Sequence, residues 1–475
     1  MSAVTLGGCN REAADSAPSH VSFRAPIVNT AAVEVPATAQ WAGWRGGQLQ
    51  AVSPASRLPS HWTEQHGVRW KISVPGRGNS SPIVWDEHLF ITSIIPAADG
   101  EQAALLCFDR LSGALRWQQP IGTPQGSSHN KNGFASATPV TDGAHVYAAF
   151  GQLGISAFDF AGQLVWHVPL AQHKHEWGTA ASPLLFEDLL IHVVDGDSDS
   201  AIIAFDKLTG QQVWRTPRDS RGSWSSPVLV NAGTTEMPQW ELVVNGTGSP
   251  SGSSGLMIGY DPRTGAELWH CAGTTDIPCP TAIAGEGVVV SSSGSNGPVF
   301  AVRPGGQGDV APSHRVWMLP TGGPYVPTGV IYQKRLYIVS DAGMVSCLRL
   351  QDGTNLWRKR LQGAFSASLV AGANQVYAIN ERGDIYVFRA GETFELIATN
   401  RLHEPCVATP AIAHGELYLR SQQHLYCIAE VNLAASEPAD RAPGVDPAAI
   451  RSPADLDPNV TAPPAAVQNS TLSQP

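Results

Sequence analysis

The chain has 475 residues, of which 43% are hydrophobic and 15% charged, and it contains 47 glycines and 36 prolines. A chain of this size can bury one large core or two ordinary ones, and its glycine and proline content predicts many tight turns and few long helices. The formal net charge is −10 and no block of lysine or arginine occurs, which argues against nucleic acid binding. No apolar stretch approaches the roughly 20 residues that a transmembrane helix needs.

The chain begins with a short segment, Leu6-Gly7-Gly8-Cys9, that resembles a bacterial lipobox. In a lipobox a small residue precedes the cysteine that becomes lipidated, so the resemblance makes Cys9 a candidate for lipidation. The preceding residues, MSAVT, have no lysine or arginine and are too short for the apolar part of a signal peptide. Two interpretations stay open: a truncated lipoprotein signal with a disordered linker to residue 40, or a cytoplasmic chain with an ordinary thiol at Cys9.

One phrase recurs through the middle of the chain. Segments 206–214 (DKLTGQQVW) and 261–269 (DPRTGAELW) are nearly identical, and related copies end at Trp117, Trp166 and Trp357. Each copy has a strand, an Asp/Thr/Gly turn and a second strand that ends in tryptophan, which predicts a β-hairpin. The aspartate can bind turn amides, the glycine supplies a positive φ, and we expect the tryptophan to pack on the neighbouring unit.

A second hairpin precedes each phrase and starts at a small residue, usually before proline. Eight such starts follow one another at intervals of roughly 41–57 residues, at Pro82, Pro139, Pro183, Pro227, Pro280, Pro327, Ser368 and Pro410. Two hairpins per unit make a four-stranded blade, and a repeat of this length indicates a β-propeller.

The last unit has only three strands before the chain becomes a proline- and alanine-rich acidic tail. Segment 68–74 (VRWKISV) matches the fourth strand of the first unit, so the missing strand is expected from the N-terminal side. The sequence therefore predicts an all-β, eight-bladed propeller of four-stranded antiparallel blades over residues 41–429, with the N-terminal strand closing the last blade. Segments 1–40 and 430–475 are predicted to be disordered.

The repeated phrases resemble those of the PQQ-like, quinoprotein-type propeller repeat family over roughly residues 41–429. That family includes quinoprotein alcohol dehydrogenases, the propeller lipoprotein of the bacterial outer-membrane-protein assembly machinery, and envelope proteins that open with a segment similar to Trp41-Ala-Gly-Trp44-Arg45-Gly46-Gly47. The resemblance implies a location in the cell envelope, periplasmic or membrane-anchored. It implies little about activity, since function in this fold depends on the loops.

The resemblance also implies what a dehydrogenase would need: a quinone between a tryptophan and a disulfide of adjacent cysteines, and a calcium ion held by carboxylates and amides. The sequence has seven cysteines and no adjacent pair. Cys107, Cys347 and Cys427 share one apolar strand position, which predicts buried packing residues. Cys271 and Cys279 flank a short loop and would either form a disulfide or stay free. We expect no cofactor, with PQQ and calcium as the disfavoured alternative.

The loops that join one blade to the next are expected to converge at one mouth of the central channel. Their chemistry-bearing residues are the candidate ligand-binding residues: Arg77, His129, Lys131, Asn132, His175, Glu176, Arg221 and Trp224. Three interpretations compete. His173 and His175, with Glu176 or His129, could hold a metal ion; the basic residues and Trp224 could bind an anionic or sugar-like ligand; or the rim could simply be polar and solvated.

The function predicted from these observations is a non-catalytic binding or assembly scaffold of the cell envelope. Its partner would be an envelope protein, a polysaccharide or a small ligand, and it would contact a membrane only through a lipid on Cys9. No Gly-x-Ser-x-Gly nucleophile elbow occurs, and no catalytic residue is assigned. The alternative is a quinone- or metal-dependent oxidoreductase that uses the mouth of the channel.

Overall fold

The structure is a computed structural model, and it describes residues 40–47, 50–171, 173–220, 222–247, 255–275 and 278–430. Over these residues the chain forms eight sheets, each with four antiparallel blade strands, arranged as the blades of a propeller. The predicted fold is confirmed. The two helices of the described residues are single turns, a 3-10 turn at Gly151–Leu153 and α1 at Ala311–His314, and neither has the length and apolar character to cross a membrane.

The blades follow one another around the ring, each running from its innermost to its outermost strand. Blade 1 contains β3 (Ile83–Trp85), β4 (His88–Ala97), β5 (Gly100–Asp109) and β6 (Leu115–Gly122). Blade 2 contains β7 (Val140–Thr141), β8 (His145–Ala149), β9 (Ile155–Asp159) and β10 (Leu164–Val168). Blade 3 contains β11 (Leu184–Phe186), β12 (Leu189–Val193), β13 (Ala201–Asp206) and β14 (Gln212–Pro217). Blade 4 contains β15 (Val228–Asn231), β16 (Trp240–Asn245), β17 (Gly255–Tyr260) and β18 (Glu267–Thr274).

The second half of the ring follows the same plan. Blade 5 contains β19 (Ile283–Gly285), β20 (Val288–Ser292), β21 (Gly297–Val302) and β23 (Arg315–Gly323). Blade 6 contains β24 (Val330–Tyr332), β25 (Arg335–Val339), β26 (Met344–Arg349) and β27 (Asn355–Arg360). Blade 7 contains β28 (Val370–Gly372), β29 (Gln375–Ile379), β30 (Asp384–Arg389) and β31 (Leu396–Arg401). Blade 8 contains β32 (Ala411–Ala413), β33 (Glu416–Arg420), β34 (His424–Ile428) and, from the N-terminal side, β2 (Val68–Ser73).

The ring is closed by β2, which pairs antiparallel with β34 in the register Val68 to Ile428 and Ser73 to His424. The predicted closure is therefore confirmed. Two short strands lie outside the four-strand plan. β1 (Gln40–Trp41) adds to the inner edge of blade 1, and β22 (Gly308–Asp309), from the expanded turn of blade 5, pairs in parallel with the outer strand of blade 4.

The repeated phrase joins neighbouring blades through one contact. The indole nitrogen of Trp166 in blade 2 donates a hydrogen bond of 2.9 Å to the carbonyl of Lys207 in the turn of blade 3. Gly210 of that turn has φ +73°, and a Cβ added there would lie 2.7 Å from the indole. Glycine is therefore required at this position for two reasons: the turn needs a positive φ, and the tryptophan ring leaves no room for a Cβ. The same close approach recurs for Gly113, Gly162, Gly265 and Gly353 on Trp70, Trp117, Trp214 and Trp317.

Residues 41–47, which we call the channel plug, cross one end of the channel. The carbonyl of Ala42 accepts a hydrogen bond of 2.8 Å from the amide of Thr141 in blade 2. On the opposite side the guanidinium of Arg45 donates to the carbonyls of Thr328, Gly329 and Leu369 at the inner strands of blades 6 and 7. The plug thus connects opposite sides of the ring.

Candidate functional site

A cavity of about 740 Å³ lies on the propeller axis. Residues that precede the first strands of all eight blades line it, and Trp44 of the channel plug lies at its inner end. The inter-blade loops form its open end, as the sequence predicts. The cavity exists only because the eight blades are arranged in a closed ring.

A chain of hydroxyl groups runs around this cavity. In blades 1 to 7 a backbone amide before the innermost strand donates a hydrogen bond of 2.8–3.1 Å to a serine or threonine oxygen of the next blade. Seven successive links connect eight residues that we call the hydroxyl ring: Ser81, Thr138, Ser182, Ser226, Thr281, Thr328, Ser368 and Thr409. Each of the seven accepting hydroxyls keeps a proton to donate, and no acceptor for these protons occurs among the described residues.

Two buried guanidiniums bind backbone carbonyls at or next to residues of the hydroxyl ring. Arg45 and Arg420 are 1% and 2% exposed, and neither forms an ion pair with a described residue. Arg420 donates to the carbonyls of Ser80 and Thr92 and to the Ser80 hydroxyl, and so connects blade 8 to blade 1 at the closing junction. Burial lowers the pKa of both arginines to about 9, so both carry their charge at neutral pH.

The open end of the cavity is bordered by an aromatic cluster. The rings of Trp177 and Trp224 are stacked with centroids 6.0 Å apart, and His175 meets Trp224 edge-on at 4.8 Å. The indole nitrogen of Trp224 donates to the carbonyl of Gly178 at 2.9 Å, which fixes that ring. Gly222 is required at this point, because a Cβ would lie 2.3 Å from the His175 ring. Trp177 remains 41% exposed and presents a free face to the cavity.

An ion pair spans the mouth. The ammonium of Lys131, in the loop between blades 1 and 2, lies 2.8 Å from the carboxylate of Glu381 in blade 7. Burial raises the pKa of Glu381, but hydrogen bonds from Lys131 and Ser366 outweigh it, and the net pKa is lowered. The loop that carries Lys131 is held by Asn79, whose amide donates to the Lys131 carbonyl at 3.0 Å.

The structure brings together half of the residues predicted for the mouth. His129, Lys131, Asn132 and Trp224 line the cavity, and His175 lies behind Trp224. These positions converge because the loops of adjacent blades end at the same face of the ring.

Other predicted residues lie elsewhere. The backbone of Arg77 pairs with Ile94 on the long hairpin of blade 1, and its guanidinium pairs with Glu101 there, so Arg77 does not line the cavity. Glu176 is exposed and does not line the cavity. Arg221 and Cys9 lie outside the described residues.

The positions of the two histidines do not agree with the metal-site interpretation. His173 is buried and packs edge-on against His192 at 5.8 Å, whereas His175 faces the tryptophans, so the two histidines do not share a face. Burial lowers the pKa of His173 to about 4 and of His192 to about 3. Within the described residues no group of three or more histidine, cysteine or carboxylate side chains could hold a metal ion.

The cysteines are free thiols throughout the described part of the chain, so Cys271 and Cys279 form no disulfide. Cys107, Cys347 and Cys427 are fully buried, as their place in the repeat predicts. Cys279 is a cavity residue that sequence reasoning did not identify, and burial raises the pKa of its thiol to about 12. A thiol with that pKa is not an activated nucleophile at neutral pH.

Sequence reasoning also missed Trp44, Tyr325, Asp341 and Glu381 of the cavity wall. Trp44 had a visible signal, since it belongs to the segment 41–47 that resembles the opening of envelope propellers. The other three lie in short turns with no motif, and only the closed ring brings them to the axis.

Solved structures with the same fold include quinohemoprotein alcohol dehydrogenase from Comamonas testosteroni, with a TM-score of 0.64, 13% identity and coverage of 82% of this chain and 80% of that chain. They also include BamB from Moraxella catarrhalis, with a TM-score of 0.54, 13% identity and coverage of 76% and 97%. At such identities these likenesses concern the fold alone.

The cavity does not fit the quinone and calcium arrangement described above for dehydrogenases of this type. Its wall contains a single described cysteine, Cys279, and the sequence has no adjacent cysteine pair. Both carboxylates of the wall are engaged, Asp341 by the amides of Tyr325 and Val326 and Glu381 by Lys131.

The family model described as outer membrane protein assembly factor BamB matches residues 30–176 and 101–359, more than half of the chain. A curated protein of that name from Kangiella koreensis is 31% identical over 121 residues, which are 25% of this chain. The match spans only about a quarter of that relative, 27% of its length. On the extent of the family match, this chain belongs to the PQQ-like propeller family that includes outer membrane protein assembly factor BamB.

Proposed function

We propose that the protein is a non-catalytic assembly scaffold of the bacterial cell envelope, which holds a partner protein of the outer-membrane assembly machinery against blades 1 to 3. One observation on the surface carries the proposal. Six large apolar side chains, which we call the exposed row, are exposed at the turn or just before the tryptophan of the repeated phrase in these three consecutive blades: Leu111, Leu115, Leu164, Val165, Leu208 and Val213.

Each side chain of the exposed row is between 43% and 57% exposed to solvent, and the six lie at the repeated phrase of three consecutive blades. Apolar side chains grouped on adjacent elements favour association, since their burial releases water from apolar surface. In blade 4 the corresponding outer edge is covered by β22. Blades 1 to 3 therefore offer both apolar side chains and outer strands that no further strand of the described residues covers.

Membership in the BamB family supports the choice of partner, since the name of that family refers to assembly of outer membrane proteins. A location in the envelope and a lipid on Cys9 belong to the same proposal. Quinone-dependent oxidation is not proposed, because the cavity residues do not fit that cofactor.

The test is site-specific photo-crosslinking of the full chain in its native host. A crosslinking residue at Leu164 or Val213 is expected to capture a component of the outer-membrane assembly machinery, identified by mass spectrometry. The same residue at Leu396, an equally exposed position on blade 7, serves as the matched control. Capture of the same component from Leu396 as from Leu164, or of no assembly component from either exposed-row position, would contradict the proposal.

A further inference from the structure

The axial cavity is separate from the exposed row and has no part in the scaffold proposal. It is closed at one end by the channel plug and open at the other between the aromatic cluster and the Lys131–Glu381 pair. Its volume, about 740 Å³, is that of a site for a small organic ligand.

The hydroxyl ring makes the cavity wall rich in hydrogen-bond donors. Six of the accepting hydroxyls line the cavity, namely Thr138, Ser182, Ser226, Thr328, Ser368 and Thr409. Each already accepts the amide proton of the preceding blade, and each retains one proton that it can donate to a ligand. A ligand that satisfies this wall must bring several acceptor oxygens.

The electrostatics of the wall favour a negative charge on that ligand. Arg45 bonds to the carbonyl of Thr328, a ring residue, and Arg420 bonds to the carbonyl of Ser80, the neighbour of ring residue Ser81. Neither arginine has a carboxylate partner among the described residues, whereas Lys131 and Glu381 neutralise each other. Asp341 is the remaining carboxylate of the wall, so two buried positive charges next to the wall are set against one negative charge, and a bound anion would restore the balance.

The outer part of the cavity has a different character. The aromatic residues Trp177, Trp224 and Tyr325 line it together with the polar residues Asn132 and His129. Flat apolar faces beside amide and imidazole groups suit a sugar ring, whose C–H face packs on an indole while its hydroxyls bind at the edge. The Asn132 amide nitrogen already donates to the Trp177 carbonyl, and His129 Nδ1 already accepts from the Lys131 amide. Asn132 Oδ1 and His129 Nε2 are therefore the atoms that a sugar hydroxyl would bind, and a purely aromatic acid would leave them unused.

We propose that the axial cavity binds an acidic saccharide, with its carboxylate toward the hydroxyl ring and its sugar face on Trp177. The ligand class is a uronic-acid saccharide of one or two units, bound without chemical change. The site is formed by all eight blades, so the saccharide binds the closed propeller only.

The experiment uses the full chain and two probes that differ only in the carboxylates, α-1,4-digalacturonate and α-1,4-galactobiose, with binding measured by calorimetry and by saturation-transfer NMR. Digalacturonate is expected to bind at least about tenfold more tightly than galactobiose. This ratio of dissociation constants is what charge-assisted hydrogen bonds to one carboxylate would give. Equal affinity for the two sugars, or no binding of either at about 10 mM, would overturn the proposal. So would tight binding of an aromatic tricarboxylate such as PQQ without binding of the saccharide.

Variants locate the site. Trp177→Ala is expected to weaken digalacturonate binding about tenfold, whereas Met237→Ala, which removes an exposed side chain outside the cavity, should leave it unchanged. Thr138→Val removes one ring hydroxyl and should also weaken binding, and Thr138→Ser should restore it. A melting curve for each variant separates loss of the site from loss of the fold. Unchanged affinity in folded Trp177→Ala protein would refute the assignment.

Discussion

At the scale of single residues, the two reasons for glycine in the repeated phrase, its positive φ and the close tryptophan ring, can be measured separately. Gly210 and Gly287 have nearly the same backbone, φ +73° and +77°, but an added Cβ meets Trp166 at 2.7 Å in the first and nothing within 4 Å in the second. Gly287→Ala should therefore cost only the strain of a left-handed residue, about 1 kcal/mol. Gly210→Ala should cost about 2 kcal/mol more, because the tryptophan must move.

Urea unfolding of the two glycine variants measures this difference directly. Equal losses of the free energy of unfolding would mean that the Trp166 contact adapts without cost, and that the turn alone requires the glycine.

A second residue-scale prediction concerns acid. Burial lowers the pKa of His173 and His192 to about 4 and 3. Asp195 opposes the shift at His173 and His175 adds to it, whereas His173 adds to the shift at His192. In the unfolded chain both histidines have pKa values of about 6.5. Below that pH the unfolded state therefore binds more protons than the folded state. The free energy of unfolding should fall by about 1.4 kcal/mol per pH unit per histidine from roughly pH 6.5 down to the folded pKa values.

His192→Gln removes one of the two groups and should reduce the measured slope by about 1.4 kcal/mol per pH unit. Unfolding by urea at a series of pH values provides the measurement, and the range above about pH 7.5 serves as the internal control, since both histidines are neutral there in either state. A variant that keeps the wild-type slope between about pH 6 and pH 4 would contradict the assignment.

At the scale of elements, the junction between blades 8 and 1 has its own buried ion pair. Glu416 of β33 contacts Arg110 of blade 1 at 3.2 Å and Arg69 of β2 at 2.5 Å. Glu416→Ala would leave the buried Arg110 guanidinium without its counter-ion and should lower the free energy of unfolding by about 3 kcal/mol.

The matched control is Glu395→Ala, which removes an equally well-formed pair with Arg389 on the solvent-exposed surface of blade 7. Exposed pairs are screened by water, so this variant should change stability little. Similar unfolding midpoints for the two variants would show that the junction does not depend on Glu416.

Sequence patterns predict the elements well where the cause is local. The hairpins follow from an Asp-to-Gly turn within nine residues, and β2 is identifiable because Trp70 carries the same phrase ending as the other outer strands. The mouth is only partly predictable. Lys131 and Glu381 are brought together across the ring, and no local pattern marks Glu381. Arg77 does not line the cavity, because the hairpin of β4 and β5 extends further than its counterparts and holds Arg77 against Glu101.

At the scale of the whole molecule, the channel plug couples blades that are not neighbours. Arg45→Met would remove the side-chain donor of the buried carbonyls of Gly329 and Leu369, at a cost of about 2 kcal/mol, while the Thr328 carbonyl would keep the Leu369 amide as a donor. Hydrogen exchange by mass spectrometry should then show faster exchange in the inner strands of blades 6 and 7 and unchanged exchange in blade 3. Arg57→Met, at an exposed arginine on the same N-terminal segment, should leave the exchange pattern as it is. Uniform acceleration around the ring would contradict a local role for Arg45.

The pairing of β2 with β34 also sets an order in time. β2 ends at Ser73 and its partner strand β34 begins at His424. Nearly the whole propeller is therefore synthesised before β2 can pair. At roughly 5–20 residues per second that wait is on the order of tens of seconds. An unpaired strand invites wrong pairing, and Arg69 and Lys71, both exposed on β2, provide the charges that discourage it. The axial cavity is consequently the last part of the molecule to come into existence.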